Sequence, residues 1–305
     1  MTQKHLLTIG GLGADALAAL LDDARAAKAD PAAVYGALAG RSVLLHFTKA
    51  STRTRVSVET AVARLGGHAI FTRGDELQLG RGEPLADTAR VISRMCAAAF
   101  IRTYSHADVE ELARHSTIPI INALTDDHHL LQALADLMTI TEHLGSLRGK
   151  TLAWVGDGNN VFHSLAEAAA LAGMHVRIAA PEGYEASPAV MATEAATAAA
   201  HGGSVLAVRD PALAVAQADV VVTDVFVSMG EEAQAEAKLA AFRGYQVDSA
   251  LMAQAAPTAI FLHCLPAHRG EEVTSEVIDG PQSVVWDEVE NRLHTTIAVL
   301  RYLLA

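Results

Sequence analysis

Eight consecutive residues, Thr48-Lys49-Ala50-Ser51-Thr52-Arg53-Thr54-Arg55, hold three cations, three threonines besides Ser51, and no acid. An apolar run, Val43–Phe47, precedes them, and Val58, Ala61, Val62 and Leu65 follow at helical spacing. The pattern reads as strand, polar turn and helix, with Ser51 as the N-cap. Free N–H groups in a first helical turn, flanked by hydroxyls and guanidinium groups, make an anion site, and phosphate suits it best. A capped helix with a solvated basic turn is the bland alternative. Cations near a helix N-terminus oppose its dipole, however, and a purely structural turn favours Asp or Glu. The whole chain carries 23 Lys+Arg against 35 Asp+Glu, a net charge of −12. Positive charge gathered in one loop of so acidic a protein asks for a ligand.

Other polar residues stand just past apolar runs. Arg102 closes Ala97–Arg102, where an unpaired buried charge is costly. His129 and Gln132 open the helical segment Leu130–Leu144, and Asp224 lies near the end of Val220–Val225. Cys264 follows Phe261-Leu262-His263; alone, a cysteine there is a small apolar filler. Alone, His129 reads as a helix-start residue, Gln78 as a surface glutamine and Arg292 as a solvated helical arginine. Thr151–Val155 runs into Gly156-Asp157-Gly158-Asn159-Asn160, which raises a dinucleotide reading, but Val161 occupies the third glycine position. Gly11-Leu12-Gly13 is weaker still, because Leu6–Ile9 is barely a strand. No His/Cys/Asp group has metal-ligand spacing, so no metal and no cofactor are expected.

Parallel strands are what would place such residues together. Besides the runs above, His68–Thr72, Pro119–Asn122, His175–Ala179, Ser204–Val208, Ala259–His263 and Ser283–Trp286 read as strands, separated by Ala-rich helical segments such as Ala186–Ala200. This rhythm predicts an α/β fold whose parallel sheets are covered on both faces, with ligands at the carboxyl ends of the strands. At about 150 residues per domain, 305 residues make two. The break falls in the loop Gly145–Lys150, giving domains 1–145 and 146–287, with the amphipathic end of the chain, 288–305, packing back onto the first. Hydrophobic residues at 51% and charged residues at 19% mark an ordinary globular protein. The acidity argues against nucleic-acid or anionic-membrane partners. Two cysteines, no signal-like N-terminus and no long apolar run lead to an expected cytoplasmic location.

Phe47-Thr48-Lys49-Ala50-Ser51-Thr52-Arg53-Thr54-Arg55 resembles the carbamoyl-phosphate loop of the aspartate/ornithine carbamoyltransferase family, whose core is Ser-Thr-Arg-Thr. Asp224-Val225-Phe226-Val227-Ser228-Met229-Gly230 and His263-Cys264-Leu265-Pro266 resemble the two motifs of its ornithine branch. Their order and spacing agree along the whole chain. The resemblance implies two α/β domains with the last helix returning to the first, and transfer of a carbamoyl group from carbamoyl phosphate to the side-chain amine of L-ornithine, giving L-citrulline and phosphate. It implies that Ser51, Thr52, Arg53 and Thr54 hold the phosphate, and that Gln78 reaches a neighbouring subunit's site. Arg102 and His129 would face the carbonyl oxygen, Gln132 the carbamoyl NH2, and Arg292 the carbamoyl phosphate. Cys264 and the backbone carbonyl of Leu265 belong with them. Asn160, Ser228 and Met229 would bind the α-amino and carboxylate end of ornithine, while Asp224 and Cys264 meet its side-chain amine. A homotrimer or a multiple of trimers, working in arginine metabolism, is also implied.

The sequence departs from the family's His-Pro-x-Gln at one place: Leu130 stands where the family has proline. Leucine adopts the same first-turn angles without enforcing them. Three alternatives remain at this point: transfer to another amine such as putrescine, a non-catalytic homologue, and a nicotinamide-binding dehydrogenase.

Overall fold

The computed structural model describes residues 5–74, 76–77, 82–228 and 230–304. They divide into two compact units, 1–138 with 290–305, and 139–289.

In the first unit helices and strands alternate: α1 (Ala14–Ala29), β1 (Ser42–Phe47), α2 (Thr52–Arg64), β2 (His68–Arg73), α3 (Leu85–Ser93), β3 (Ala98–Arg102), α4 (His106–His115), β4 (Ile120–Leu124) and α5 (Leu130–Leu144). The four strands are parallel in the order β2-β1-β3-β4. Strands β3 and β4 are buried at every residue, as sheets covered on both faces require. Leu44, Ala99, Ile101, Val109, Leu112 and Ile120 form one core cluster. Val58, Ala61, Val62 and Leu65 are all fully buried, so the helical spacing in the sequence is the packed face of α2 and its end. Burial of Val58, Val62 and Leu65 contributes about 1.5–3 kcal/mol each.

The second unit continues with β5 (Thr151–Val155), α6 (Asn160–Leu171), β6 (His175–Ala179), α7 (Pro188–His201), β7 (Ser204–Val208), α8 (Pro211–Val215), β8 (Val220–Thr223), α9 (Ala235–Ala241), α10 (Ser249–Met252), β9 (Ile260–His263), α11 (Ser275–Ile278) and α12 (Val285–Leu304). Its sheet is also parallel, ordered β7-β6-β5-β8-β9. Val155, Val221, Phe261, Val277 and Ile278 lie in its core. The boundary between the units falls inside α5 and inside α12, so α12 contributes residues 290–304 to the first unit, as expected of a terminal helix that returns.

One expected strand is absent. Ser283 makes only an isolated parallel bridge to Phe261, and α12 starts at Val285. The run Ser-Val-Val-Trp has strand propensity, but Val285 is buried while the neighbouring Trp286 is 62% exposed, and Asp287 and Glu288 favour a helix N-terminus. No helix among the described residues is long and apolar enough to cross a membrane.

Both sheets contain a point where the chain reverses its direction of growth. In the first, β1 is followed by β2 on one side and by β3 on the other; in the second, β5 is flanked by β6 and β8. Crevices open past the carboxyl ends of strands at such points.

Candidate functional site

The first crevice receives the loop after β1. Register pairs Phe47 with Arg102, so the loop leaves beside the end of β3. There Thr48 N–H and Oγ1 both donate to the Arg102 carbonyl, at 2.9 and 3.2 Å, and Arg102 Nε donates to the Lys49 carbonyl at 3.2 Å. Ser51 caps α2 as its sequence predicted, Oγ accepting from Thr54 N–H at 3.2 Å. The loop borders a cavity of about 750 Å³ lined by Thr48, Lys49, Ser51, Thr52, Arg55 and Arg73, among others.

The three cations of the loop are not equivalent. Lys49 pairs with Asp126 and lies 4.2 Å over the Tyr104 ring. Arg55 pairs with Glu59 at 2.9 Å and stacks on Phe71 at 3.6 Å. Arg53 makes no ion pair among the described residues, which leaves it as the loop's uncompensated charge.

Arg292, 2% exposed on α12, spans two of the other expected residues. Nη1 donates to Gln132 Oε1 at 2.5 Å and Nη2 to Thr54 Oγ1 at 3.0 Å. Gln132 in turn donates from Nε2 to Asp136 Oδ1 at 2.8 Å, which fixes its amide orientation. His129 sits buried directly before α5. Burial first, then the charges of Arg292, Arg102 and Arg53, hold its imidazole well below the ordinary histidine range, so it is neutral. The adjacent His128 turns elsewhere, its ring 4.8 Å from that of His106. Helix α5 begins at Leu130 without a proline, and the Leu130 side chain is fully buried, so packing supplies part of the anchoring that a fixed φ would.

In the second unit the crevice holds the segments after β5, β8 and β9. Register pairs Thr223 with His263, which sets Asp224 and Cys264 side by side one residue beyond the strands. Cys264 Sγ donates to Asp224 Oδ1 at 2.9 Å. Asp224 Oδ1 also accepts from Val225 N–H at 2.8 Å, and Oδ2 accepts from Asn159 Nδ2 at 2.9 Å. Asn159, which sequence reasoning passed over, thus has two tasks. It caps α6 through Oδ1, accepting from Val161 and Phe162 N–H at 3.0 and 3.1 Å, and it fixes the Asp224 carboxylate. Asn160 is the first residue of α6 and half-buried. Gly158 has a structural reason: a Cβ there would lie 2.1 Å from Ala186 N, so the passing backbone demands glycine, without any dinucleotide.

Leu265 N–H donates to His263 Nδ1 at 2.8 Å, so Nδ1 is the acceptor and Nε2 carries the proton, directed to Glu272 Oε1 at 3.1 Å. Glu272, fully buried, also accepts from His268 N–H at 2.6 Å. Glu288 Oε2 accepts from His263 N–H at 2.9 Å. These contacts hold the Cys264–Leu265 turn, in which Leu265 adopts φ 56° and Leu265–Pro266 is cis. Asp224, His263 and Cys264 offer ligand atoms within 4.8 Å of one another, a grouping invisible in their sequence spacing; within it Cys264 bonds Asp224, while His263 turns Nε2 to Glu272. Ser228 is half-buried, its N–H donating to Glu231 Oε2 at 2.9 Å. Gln78 and Met229, both expected at the site, lie outside the described residues.

Two family models match the chain: the carbamoyl-P binding domain of aspartate/ornithine carbamoyltransferase over residues 4–142, and the Asp/Orn binding domain over residues 148–303. Among similar proteins, the ornithine carbamoyltransferase of Symbiobacterium thermophilum is 56% identical over 88% of this chain and 86% of its own. That of Chromobacterium violaceum is 50% identical over 99% and 97%. The solved ornithine carbamoyltransferase of Pyrococcus furiosus superposes with a TM-score of 0.94 at 48% identity, covering 98% of this chain and 96% of that one. An anabolic counterpart from Campylobacter jejuni gives 0.93 at 38% identity, covering 99% of each.

Proposed function

Since the chain belongs to the aspartate/ornithine carbamoyltransferase family, we infer that it is an ornithine carbamoyltransferase in activity. It transfers the carbamoyl group of carbamoyl phosphate to the side-chain amine of L-ornithine and releases L-citrulline and phosphate. The observation that carries the chemistry is the Arg292 guanidinium, which joins Thr54 in the first turn of α2 to Gln132 in the first turn of α5, the helix that the buried His129 immediately precedes.

Residues 1–145 with 288–305 hold carbamoyl phosphate. The dianion takes the N-terminal N–H groups of α2, the hydroxyls of Ser51, Thr52 and Thr54, and the free charge of Arg53. Arg102 and Arg292 balance the charge that grows on the carbonyl and phosphate oxygens. A neutral His129 donates a hydrogen bond to the carbonyl oxygen without adding a further cation. Gln132 faces the carbamoyl NH2.

Residues 146–287 hold ornithine. Its side-chain amine resembles that of lysine, so deprotonation at pH 7 costs about 4–5 kcal/mol. Asp224 binds the cation and orients it, with Cys264 and the Leu265 carbonyl beside it; Asn160, Ser228 and Met229 take the amino-acid end. Once the ammonium beside Asp224 has released one proton to solvent, the neutral amine nitrogen attacks the carbonyl carbon, the bond from that carbon to the phosphate oxygen breaks, and the nitrogen's second proton passes to the departing phosphate. Phosphate departs with the bonding pair into the anion site. The reading includes a homotrimer or multiple of trimers, with Gln78 at a neighbour's site, a cytoplasmic location and a place in arginine metabolism.

Citrulline-type product formation from ornithine, putrescine, N-acetylornithine and aspartate tests the substrate. Ornithine is expected to exceed each of the others by at least about a hundredfold in kcat/KM, because only it offers both a free α-amino group and a side-chain amine. Comparable turnover of putrescine would show that the Ser228 segment does not select the amino-acid end.

A further inference from the structure

Lys238 is 2% exposed in the second unit, although it belongs to no motif singled out above. From α9 its ammonium reaches two carboxylates on two different segments: Asp157 Oδ2 at 2.5 Å and Glu231 Oε2 at 2.6 Å. The Tyr184 ring lies 5.5 Å away on a third. Asp157 stands in the loop between β5 and α6, three residues before Asn160, and its carbonyl is held by Trp154 Nε1–H at 2.9 Å. Glu231 stands three residues after Ser228, and the same Oε2 that meets Lys238 accepts the Ser228 N–H. One ammonium therefore joins the segment that carries Asn160 to the segment that carries Ser228.

Stability does not account for the arrangement. A buried ammonium held between the mostly buried Asp157 and the half-exposed Glu231 leaves a surplus negative charge, and apolar residues commonly stabilise a core as well as or better than a buried ion pair does. The surplus also lies within electrostatic range of Asp224, whose charge adds to the burial that already raises the Asp157 carboxyl. Lysine suits a bridging task because a compact ammonium has three donors and can serve two carboxylates at once.

We propose that Lys238 is a positioning residue for L-ornithine, setting the distance between the Asn160 and Ser228 segments that hold the substrate's α-amino and carboxylate groups. This rests on the functional reading above. It assigns Lys238 no contact with the reacting atoms, so its removal acts on ornithine binding and spares both carbamoyl-phosphate binding and the chemical step.

The test is steady-state kinetics of the full-length enzyme with both substrates varied. The unmodified protein is measured first; failure to carbamoylate ornithine there overturns the functional reading itself, before any variant is compared. Lys238→Met is expected to raise the ornithine KM about tenfold or more, with kcat changed less than about threefold and the carbamoyl-phosphate KM unchanged. Lys238→Arg, which can still bridge two carboxylates, recovers most of the loss. Glu231→Gln, at a half-exposed position, keeps an acceptor for Ser228 N–H but removes one ion pair, and raises the ornithine KM by a smaller factor. A folded Lys238→Met with the original ornithine KM overturns the proposal, as does an equal loss in kcat and in both KM values. If Lys238→Met does not fold, an unchanged ornithine KM in Glu231→Gln overturns it equally.

Discussion

Arg292 donates to Thr54 Oγ1 at 3.0 Å, although 238 positions separate them in the sequence. The same guanidinium holds Gln132, so one side chain from the last helix ties the first turn of α2 to the first turn of α5. Two groups assigned to opposite ends of carbamoyl phosphate are thereby placed by a third. Arg292→Ala removes two charge-assisted bonds, each worth about 1.5–3 kcal/mol, and leaves Thr54 and Gln132 short of a donor. The carbamoyl-phosphate dissociation constant is expected to rise at least about a hundredfold, with a lower melting temperature. Arg292→Lys keeps the charge but loses the fork, and falls between. Calorimetric titration with carbamoyl phosphate decides it; unchanged affinity removes Arg292 from the site.

Arg53 gives the opposite combination. It has no ion pair to lose among the described residues, whereas Lys49 and Arg55 are both neutralised by neighbours. Arg53→Ala should therefore leave the melting temperature within about 2 °C, as surface substitutions usually do. Carbamoyl-phosphate binding should fall by more than about a hundredfold, since a guanidinium–phosphate contact is among the stronger hydrogen bonds. A folded variant with near-normal affinity would falsify the role given to this loop cation.

The contrast between these two arginines shows what the sequence carried. Ser51, Arg53 and Asp224 stood out because each sits at a strand end or helix start, where local pattern fixes position; Cys264, an apolar filler by its own pattern, was singled out by resemblance. The cap of α2 and the start of α5 at Leu130 are local events, and both occur where the pattern put them. Asn159, Lys238 and Glu272 were not legible, because their partners Asp224, Asp157 and His263 come from other segments, 65, 81 and 9 positions away. Arg292 was found only through resemblance; nothing in its own helix tells a solvated arginine from a buried one. Ser283–Trp286 failed for a related reason. Its composition favours a strand, but β9 offers it a single bridge, and the acids that follow favour a helix.

His129 makes the protein sensitive to acid. Burial and the charges of Arg292, Arg102 and Arg53 depress its folded pKa, while in the unfolded chain it returns to about 6.5. The unfolded state then binds the proton more readily, so this contribution to stability is complete above pH 6.5 and is lost as pH falls below it. His5, His46 and His294 are shifted the same way by burial, so the wild-type slope alone does not isolate His129. His129→Gln, which keeps an N–H donor and cannot titrate, should flatten the loss of stability between pH 7.5 and 5.5. Urea unfolding of both proteins at the two pH values measures it, and identical slopes would exclude a depressed His129.

Glu272 supports Cys264 without touching it. It receives both the Nε2–H of His263 and the N–H of His268, and His263 in turn receives the Leu265 amide. Glu272→Ala orphans the buried Nε2–H of His263, at about 1–3 kcal/mol, removes the partner of the part-buried His268 N–H, and frees the imidazole that fixes the turn after Cys264. A fall in kcat/KM for ornithine of roughly tenfold or more is expected, with carbamoyl phosphate still bound by the first unit. Titration with carbamoyl phosphate beside the kinetics separates the two, and a fully active, equally stable variant would leave Glu272 without a supporting role.

Glu194, on α7, shows the reverse sign. It is 6% exposed, and burial, followed by the charge of Glu167 on α6, pushes its carboxyl up to about 7. The folded state therefore holds a proton that the unfolded chain releases near pH 4.5. Stability from this group is intact below pH 4.5, declines as pH rises toward 7, and stays reduced above it. Glu194→Gln, which is neutral at every pH, should gain about 1–3 kcal/mol over the wild type at pH 8 and almost nothing at pH 4.5. Chemical denaturation at those two values gives the comparison directly. A gain that is the same at both would mean that the substitution acts through packing, and that no buried charge is relieved at the α6–α7 contact.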